Sequence, residues 1–141
     1  MIQVVENIEP VFPLIQQLRP NLTFAQFIEI YKQAQKADQY KFYGYFENGN
    51  CVGLMGLRIL YDYVHLKHLY IDDLVVDEKQ RSSGVGTALL KFAEQLAHSE
   101  NCTGLRLCTG NENDRGIKFY EREKWSQRAL VFKKKVSSSQ I

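Results

Sequence analysis

The chain has 141 residues, a length that favours one domain, here assigned to residues 1–136, followed by a flexible tail over 137–141. Its formal net charge of +2 is too small to indicate a nucleic-acid partner. No apolar stretch approaches the ~20 residues of a membrane span, and we expect neither a membrane segment nor a secretory signal. Three cysteines without a Cys-x-x-Cys pair fit a reducing compartment, so we expect a cytoplasmic protein.

The first half of the chain predicts a strand, two helices and a β-hairpin. A short apolar run over residues 2–5 predicts the strand, and apolar residues at helical spacing predict helices over 8–18 and 24–37. The second helix begins after Thr23, which forms a capping-box pattern with Gln26 three residues later. Asn48 and Gly49, between β-rich runs over 40–46 and 51–60, give the strongest short-range hairpin signal.

The second half predicts the rest of a mixed α/β sheet flanked by helices. In chain order its elements are a polar connection (61–67), a strand (70–76), a helix (85–98), a strand (105–108), a helix capped by Asn113 or Asp114 (to 121) and a last strand (127–132). We expect the strands over 51–60 and 70–76 to be antiparallel. The strand–helix–strand unit that follows implies a parallel, right-handed crossover.

The turn after the strand over 70–76 has the features of a phosphate site. Residues 81–86 read Arg-Ser-Ser-Gly-Val-Gly and lead directly into a helix. The first N–H groups of a helix have no partner inside it, its dipole is positive there, and glycine permits close approach of an anion. Neither familiar nucleotide loop fits. The mononucleotide loop needs Gly-Lys-Ser/Thr, and the dinucleotide fingerprint needs a small residue where Leu89 stands.

Arg81, Gly84 and Gly86, after a strand that ends Leu-Val-Val, resemble the coenzyme A loop of the GCN5-related N-acetyltransferases. Residues 113–125, with an asparagine, a Phe-Tyr pair and a tryptophan, resemble the family's C-terminal signature. The resemblance covers nearly the whole chain and implies the acyl-CoA N-acyltransferase fold. Lys124 replaces the family's usual glycine, so we expect a lysine in an uncommon backbone conformation there.

The resemblance implies that the loop binds the pyrophosphate of acetyl-CoA through backbone N–H groups, with Arg81 close to phosphate. The strand backbone before the loop would pair with the pantetheine arm, and the N–H of Val75 would polarise the thioester carbonyl. Asn113 would bind the pantetheine arm, or act only as a helix cap. The implied cofactor-binding residues are Leu74, Val75, Val76, Arg81, Ser82, Ser83, Gly84, Val85, Gly86, Thr87, Asn113 and Tyr120.

The resemblance also implies catalytic roles. Tyr120 matches the family's general acid, which protonates the departing thiolate; the alternative is a half-buried core aromatic. Asp72 and Asp73 interrupt an apolar strand, where burying carboxylates is costly unless they have partners or a task. Strand alternation places them on opposite faces. We prefer Asp72 as a base acting through water and Asp73 as a contact to a cationic acceptor, with Tyr31 also in the acceptor site.

Several alternatives remain at this point. The resemblance implies an N-acetyltransferase, and we expect the acceptor to be a primary amine of a small molecule that attacks acetyl-CoA directly in a ternary complex. The alternatives are a protein amine as acceptor and a domain that binds acyl-CoA without turnover. A nucleotide-binding regulator is disfavoured by the loop spacing. Family members often dimerise, so a homodimer is one arrangement that the resemblance allows. We predict no metal, because His65 and His68, three apart near a strand end, would project to opposite faces with no third ligand nearby in sequence.

Overall fold

The computed structural model describes residues 1–81 and 83–137. Ser82 and all but the first residue of the predicted tail lie outside the described residues. The chain forms two compact units, Met1–Leu107 and Cys108–Ile141, and the single domain over 1–136 stays a prediction. None of the helices in the described ranges combines the length and apolarity needed to cross a membrane.

The described residues of the first unit form a five-stranded mixed sheet and three α-helices. In chain order the elements are β1 (Ile2–Val5), α1 (Phe12–Leu18), α2 (Phe24–Asp38), β2 (Lys41–Glu47), β3 (Asn50–Asp62), β4 (Leu66–Val76), α3 (Val85–Ser99) and β5 (Leu105–Leu107). The strand order in the sheet is the order in the chain. All neighbours are antiparallel except β4 and β5, which are parallel. The predicted mixed sheet is therefore confirmed.

Local sequence signals explain two of the boundaries. Thr23 accepts the N–H of Gln26 at 3.1 Å, and the Gln26 side chain accepts the N–H of Thr23 at 3.0 Å, which is the predicted capping box. Asn48 and Gly49, with φ of 52° and 80°, form the predicted turn between β2 and β3. Both residues adopt the left-handed conformation that a tight hairpin turn requires.

The helices cover the two faces of the sheet. Ile15 of α1 and Phe27 of α2 share one core with Leu54 of β3. Gly53, the neighbouring residue, faces the opposite side, where a Cβ atom on it would lie 2.5 Å from a methyl carbon of Val85 in α3. Because side chains alternate along a strand, α1 and α2 lie on one face and α3 on the other.

Two predicted boundaries in the first unit differ from the structure. The connection predicted over 61–67 is only a three-residue turn, because β3 continues to Asp62, which pairs with Leu66 at the start of β4. Polar and aromatic residues are compatible with exposed strand, so their composition misled the prediction. The helix predicted from residue 8 begins at Phe12 after a 3₁₀ turn, and Pro13 occupies its first turn, where a missing N–H costs nothing.

The described residues of the second unit contain one helix, α4 (Asp114–Arg122). The strand predicted over 127–132 is wrong, because residues 123–137 contain no strand and Phe132 is 91% exposed. Propensity alone does not make a strand, since its backbone groups need a pairing partner, and this unit's described residues include no other strand. Lys124 has φ of 73°, which confirms the uncommon backbone conformation predicted there.

Candidate functional site

The backbone of β4 has an open edge in its second half. On one side β4 pairs with β3 as far as Val76. On the other side its pairing with β5 ends where Ile71 faces Leu107, and no strand among the described residues pairs with residues 72–76 there. The backbone groups along that edge of β4 can therefore hydrogen-bond an extended ligand.

The direction of the β4 amides follows from one hydrogen bond. The N–H of Asp77 donates to the carbonyl oxygen of Val52 at 2.8 Å. These two residues lie opposite each other, one position beyond the last β3–β4 pair, Gly53 with Val76. Because N–H directions alternate along a strand, the N–H of Val75 also points to β3. Those of Leu74 and Val76 point to the open edge. The N–H of Val75 thus points away from the open edge, where its predicted contact with the thioester carbonyl would lie.

The loop after β4 leads into the N-terminus of α3, where backbone N–H groups can bind an anion. Gly84 has φ of 88°, in the left-handed region where a side chain would be strained, and it directly precedes α3. The first bond inside the helix runs from the N–H of Ala88 to the carbonyl oxygen of Gly84, at 3.0 Å. The N–H groups of Val85 and Gly86 precede that bond and have no carbonyl acceptor within the helix. Such a helix start attracts an anion such as phosphate.

The described part of the loop is tied to its surroundings. The side chain of Gln17 in α1 accepts the N–H of Glu78 at 3.1 Å. The hydroxyl of Ser83 donates to the carbonyl oxygen of Gln80, so Ser83 supports the loop itself. Arg81 is exposed. Ser82, predicted to contact phosphate, lies outside the described residues.

A β-bulge brings the two carboxylates of β4 onto one face. Gly56 pairs with Asp73 and Leu57 pairs with Ile71, which leaves Asp72 without an opposite residue. One extra residue shifts the alternation of side chains along β4 by one position. Asp72 and Asp73 therefore both lie on the α1/α2 face. The prediction of opposite faces is wrong because simple alternation does not include the bulge.

Asp73 is held by one exposed and one buried partner. Arg19, which follows α1, donates from Nε and Nη2 to one carboxylate oxygen of Asp73 at 3.3 and 3.1 Å. The buried hydroxyl of Tyr40 donates to the other oxygen at 2.6 Å. The Arg19 side chain is 52% exposed. Burial, followed by the charge of Asp73, raises the pKa of Tyr40 well above its usual value, so Tyr40 stays a donor.

Asp72 is held by a less exposed arginine. Arg58 donates from Nε and Nη2 to the two carboxylate oxygens of Asp72 at 2.8 and 3.1 Å, and from Nη1 to Asp38 at 2.8 Å. Burial raises the pKa of Asp72, although the hydrogen bonds and charge of Arg58 act in the opposite direction. We call this group the carboxylate cluster, whose members are Asp72, Asp73, Asp38, Arg19, Arg58 and Tyr40.

Gly56 makes room for the Tyr40 ring. A Cβ atom on Gly56 would lie 1.7 Å from the Tyr40 hydroxyl oxygen and 2.4 Å from the adjacent ring carbon. The ring therefore lies directly over the backbone of β3, opposite Asp73. Only glycine permits this approach. The absent side chain is what allows Tyr40 to reach the carboxylate.

Tyr31 packs beside the carboxylate cluster. Its ring is parallel to that of Phe42, with centroids 5.7 Å apart, and edge-on to that of Tyr40 at 6.2 Å. Its hydroxyl accepts a hydrogen bond from Gln35 at 3.1 Å. The structure thus brings Tyr31 against Tyr40, and its predicted contact with an acceptor stays a prediction.

The two predicted site residues of the second unit have local partners. The side-chain oxygen of Asn113 accepts the N–H of Gly116 at 3.1 Å, and its amide donates to Thr109 at 2.8 Å. Asn113 is thus a helix cap. Tyr120 is half-buried, with its ring edge-on to those of Phe119 at 5.2 Å and Trp125 at 6.1 Å. Their roles toward a cofactor stay predictions.

The two histidines are closer than their sequence spacing suggested. The ring centroids of His65 and His68 are 5.0 Å apart. The expectation of opposite faces is wrong because His65 lies in the turn and not in the strand. Asp62, three residues before His65, supplies the third polar group that the sequence analysis missed. The sequence signal that could have revealed this group is an aspartate three residues before a histidine, with a tight turn between them.

Comparisons with known proteins extend to nearly the whole chain. The sequence model described as Acetyltransferase (GNAT) family matches residues 6–124. The uncharacterized N-acetyltransferase YhdJ of Bacillus subtilis is 24% identical over 126 residues, 89% of each chain. The aminoglycoside N-acetyltransferase AAC(6')-Iy in complex with CoA superposes with a TM-score of 0.85 at 18% identity, over 97% of this chain and 95% of that one. An acetyltransferase of Trypanosoma brucei gives 0.77 at 20% identity, over 96% and 99%.

Proposed function

Because the chain belongs to the GNAT family of acetyltransferases, we propose that it transfers the acetyl group of acetyl-CoA to the primary amine of a small molecule. The amine attacks the thioester directly while both substrates are bound. The observation that carries the proposal is the open edge of β4, which leads through the glycine-bearing loop to the start of α3. The structural likeness to an acetyltransferase in complex with CoA supports the choice of cofactor.

The cofactor is bound mainly by backbone. Its pyrophosphate accepts hydrogen bonds from the first N–H groups of α3, Val85 and Gly86 among them, with the exposed Arg81 nearby in the loop. Its pantetheine arm adds to the open edge as another strand would. There the amides of Leu74 and Val76 donate, and one of them stabilises the oxyanion that forms when the thioester carbonyl is attacked.

The acceptor carries a positive charge that Asp73 binds. Arg19 shows that a cation fits against this carboxylate, and its exposed side chain can be displaced. Exposed ion pairs contribute only about 0–1 kcal/mol, so exchange of Arg19 for a substrate ammonium or guanidinium group costs little. A small cationic amine therefore suits this site better than a neutral one.

Proton transfer uses two residues, Asp72 and Tyr120. Asp72 accepts the proton of the attacking amine through a water molecule, because each of its carboxylate oxygens has a second acceptor position beside the hydrogen bond from Arg58. The raised pKa of Asp72 makes it a better base than an ordinary aspartate. Tyr120 donates its phenolic proton to the departing thiolate of CoA.

Calorimetric titration with acetyl-CoA tests the cofactor site. We expect micromolar binding by the wild-type protein and its loss in Gly84→Glu, which puts a carboxylate where the phosphate lies. Gly49→Glu is the matched control, because Gly49 also has positive φ and an added Cβ would meet nothing within 4 Å at either position. Absence of binding by folded wild-type protein would refute the proposal.

A turnover assay with a panel of small amines then tests catalysis. We expect acetylation of diamines or guanidino amines, and a large loss of kcat in Tyr120→Phe with the acetyl-CoA affinity retained. Binding of acetyl-CoA without turnover of any amine would favour a non-catalytic acyl-CoA-binding domain. Acetylation of peptide amines in preference to small amines would reassign the acceptor class.

A further inference from the structure

The turn between β3 and β4 gathers metal-ligating side chains away from the proposed catalytic site. Asp62 ends β3, and its carboxylate accepts the backbone N–H of His65 at 2.6 Å. This bond folds the turn back, so that Nδ1 of His65 lies 3.1 Å from both carboxylate oxygens. We refer to Asp62, His65 and His68 as the turn cluster.

His68 has a defined tautomer. Its side chain is only 2% exposed, and Nδ1 lies 3.0 Å from the carbonyl oxygen of Leu66. A carbonyl only accepts, so Nδ1 carries the proton and Nε2 carries the lone pair. Arg106 Nε, which only donates, lies 3.0 Å from Nε2 and fits this assignment. A backbone carbonyl that orients the second ring nitrogen is the usual support of a metal-binding histidine.

The spacing of the ligand atoms suits a small divalent ion. One ligand atom from each member of the turn cluster lies within 4.8 Å of the other two. The Asp62 carboxylate is 3.1 Å from His65 Nδ1 and 3.9 Å from His68 Nε2. In tetrahedral zinc sites, ligand atoms about 2.0–2.2 Å from the metal lie roughly 3.3–3.5 Å from one another. The proton that His65 Nδ1 shares with the Asp62 carboxylate would have to move to Nε2 of the same ring, which leaves the Nδ1 lone pair for the metal. With that change of tautomer, small side-chain rotations would complete three ligands.

Arg106 is the group that a metal ion has to replace. Its guanidinium does not lose its proton, so it cannot share the Nε2 lone pair with a cation. Its side chain is 36% exposed and lies 4.5 Å over the ring of Tyr70, which gives it another contact. A cavity of about 300 Å³ adjoins His65, His68 and Arg106 and gives solvent access to this side of the cluster.

We propose that the turn cluster is a binding site for a divalent metal ion of the zinc class, for which Arg106 competes. Two imidazoles and one carboxylate are ligands that Zn²⁺ accepts, and an open fourth position is common at sites with three protein ligands. The bound ion links the end of β3 to the start of β4 and stabilises that turn. The site is separate from acetyl transfer and stands whether or not the protein turns over an amine.

Titration of chelator-treated protein with Zn²⁺ tests this proposal. We expect one equivalent to bind, with affinity lowered at least about tenfold in His65→Ala, a loss of the size that disturbing a metal site produces. His98→Ala is the matched control, because His98 is exposed on α3 and outside the cluster. Arg106→Gln should bind more tightly than wild type. Cobalt substitution should give visible absorption in wild type, His98→Ala and Arg106→Gln, but not in His65→Ala.

Thermal unfolding supplies a readout that is independent of affinity fitting. Zn²⁺ should raise the Tm of wild type and of His98→Ala, and leave that of His65→Ala unchanged. His65 is 42% exposed, so its replacement leaves the core intact. Equal zinc affinity in the His65 and His98 variants, or no saturable binding by wild type, would overturn the proposal. Weaker binding in Arg106→Gln would overturn the competition by Arg106.

Discussion

The β3–β4 hairpin carries clusters of polar groups at two places, and the two clusters differ in how their charges are balanced. In the carboxylate cluster, each arginine faces a carboxylate, Arg19 facing Asp73 and Arg58 facing Asp72. In the turn cluster, Arg106 donates its hydrogen bond to the imidazole of His68 at 3.0 Å, and it lies 3.8 Å from the Asp62 carboxylate, beyond hydrogen-bond distance. A carboxylate keeps its arginine unless another cation replaces it. A neutral imidazole nitrogen can give up the hydrogen bond from its arginine and bind a metal ion instead.

Asp72 of the carboxylate cluster and Asp62 of the turn cluster also have opposite pKa shifts. Burial raises the pKa of Asp72. The backbone and side-chain hydrogen bonds from His65 lower the pKa of Asp62 to about 2. Asp72, within strand β4, is thus a better base than an ordinary aspartate, and Asp62, at the end of strand β3, is a more stable anion. Position on the strand, and not residue type, decides what each aspartate can do.

The largest expected effect comes from closing the space that the Tyr40 ring occupies. Gly56→Ala would force the ring off Asp73, because the new Cβ overlaps the Tyr40 hydroxyl. We expect the free energy of unfolding to fall by about 3 kcal/mol, at the upper end of the usual cost of overpacking. Denaturant unfolding measures it. Gly104→Ala, where an added Cβ meets nothing within 4 Å, should change it little.

The next effect separates the two arginines of the carboxylate cluster. Arg58→Met leaves Asp72 and Asp38 without their shared cation, while the apolar packing of the side chain is kept. We expect a loss of about 2 kcal/mol in the free energy of unfolding, the size of a lost hydrogen bond to a charged group. A loss as small as that of an exposed pair would show that Arg58 does not hold the cluster together.

How much of this the sequence could predict depends on which interactions set each feature. The glycine-bearing turn before α3, the capping box at Thr23 and the backbone at Lys124 follow from local residues, and the sequence indicated all three. The bulge at Asp72 depends on pairing between strands, and the closeness of His65 and His68 on how a turn folds back. The predicted last strand failed for the same reason, since pairing is not encoded in one segment alone.

A smaller effect is expected at the exposed arginine. Arg19→Met should lower the free energy of unfolding by less than about 1 kcal/mol, as for other exposed pairs. Because Arg19 occupies the place proposed for the acceptor's cation, the KM for a cationic amine should fall while the KM for acetyl-CoA stays constant. Steady-state kinetics with both substrates varied measures the KM for the amine and the KM for acetyl-CoA separately. An increase in the acceptor KM would mean that Arg19 binds the acceptor instead.

The smallest effect is a slope of stability against pH. The folded protein holds the Asp72 proton more tightly than the unfolded chain, whose aspartates have a pKa of about 3.9. Between that value and the raised folded pKa, the folded state binds more protons, so this group's contribution to stability falls as pH rises. Asp72→Asn should remove this component. Urea unfolding at several acidic pH values measures it, and an unchanged slope would contradict the burial of Asp72.

The contact between Tyr40 and Gly56 has a consequence for related sequences. The two residues belong to separate segments, and the Tyr40 ring fills the space that a side chain at position 56 would occupy. A relative with any side chain at the position of Gly56 would have to lack the aromatic ring at the position of Tyr40. The two positions should therefore change together during evolution, and their covariation would show which homologues keep a tyrosine on the strand carboxylate.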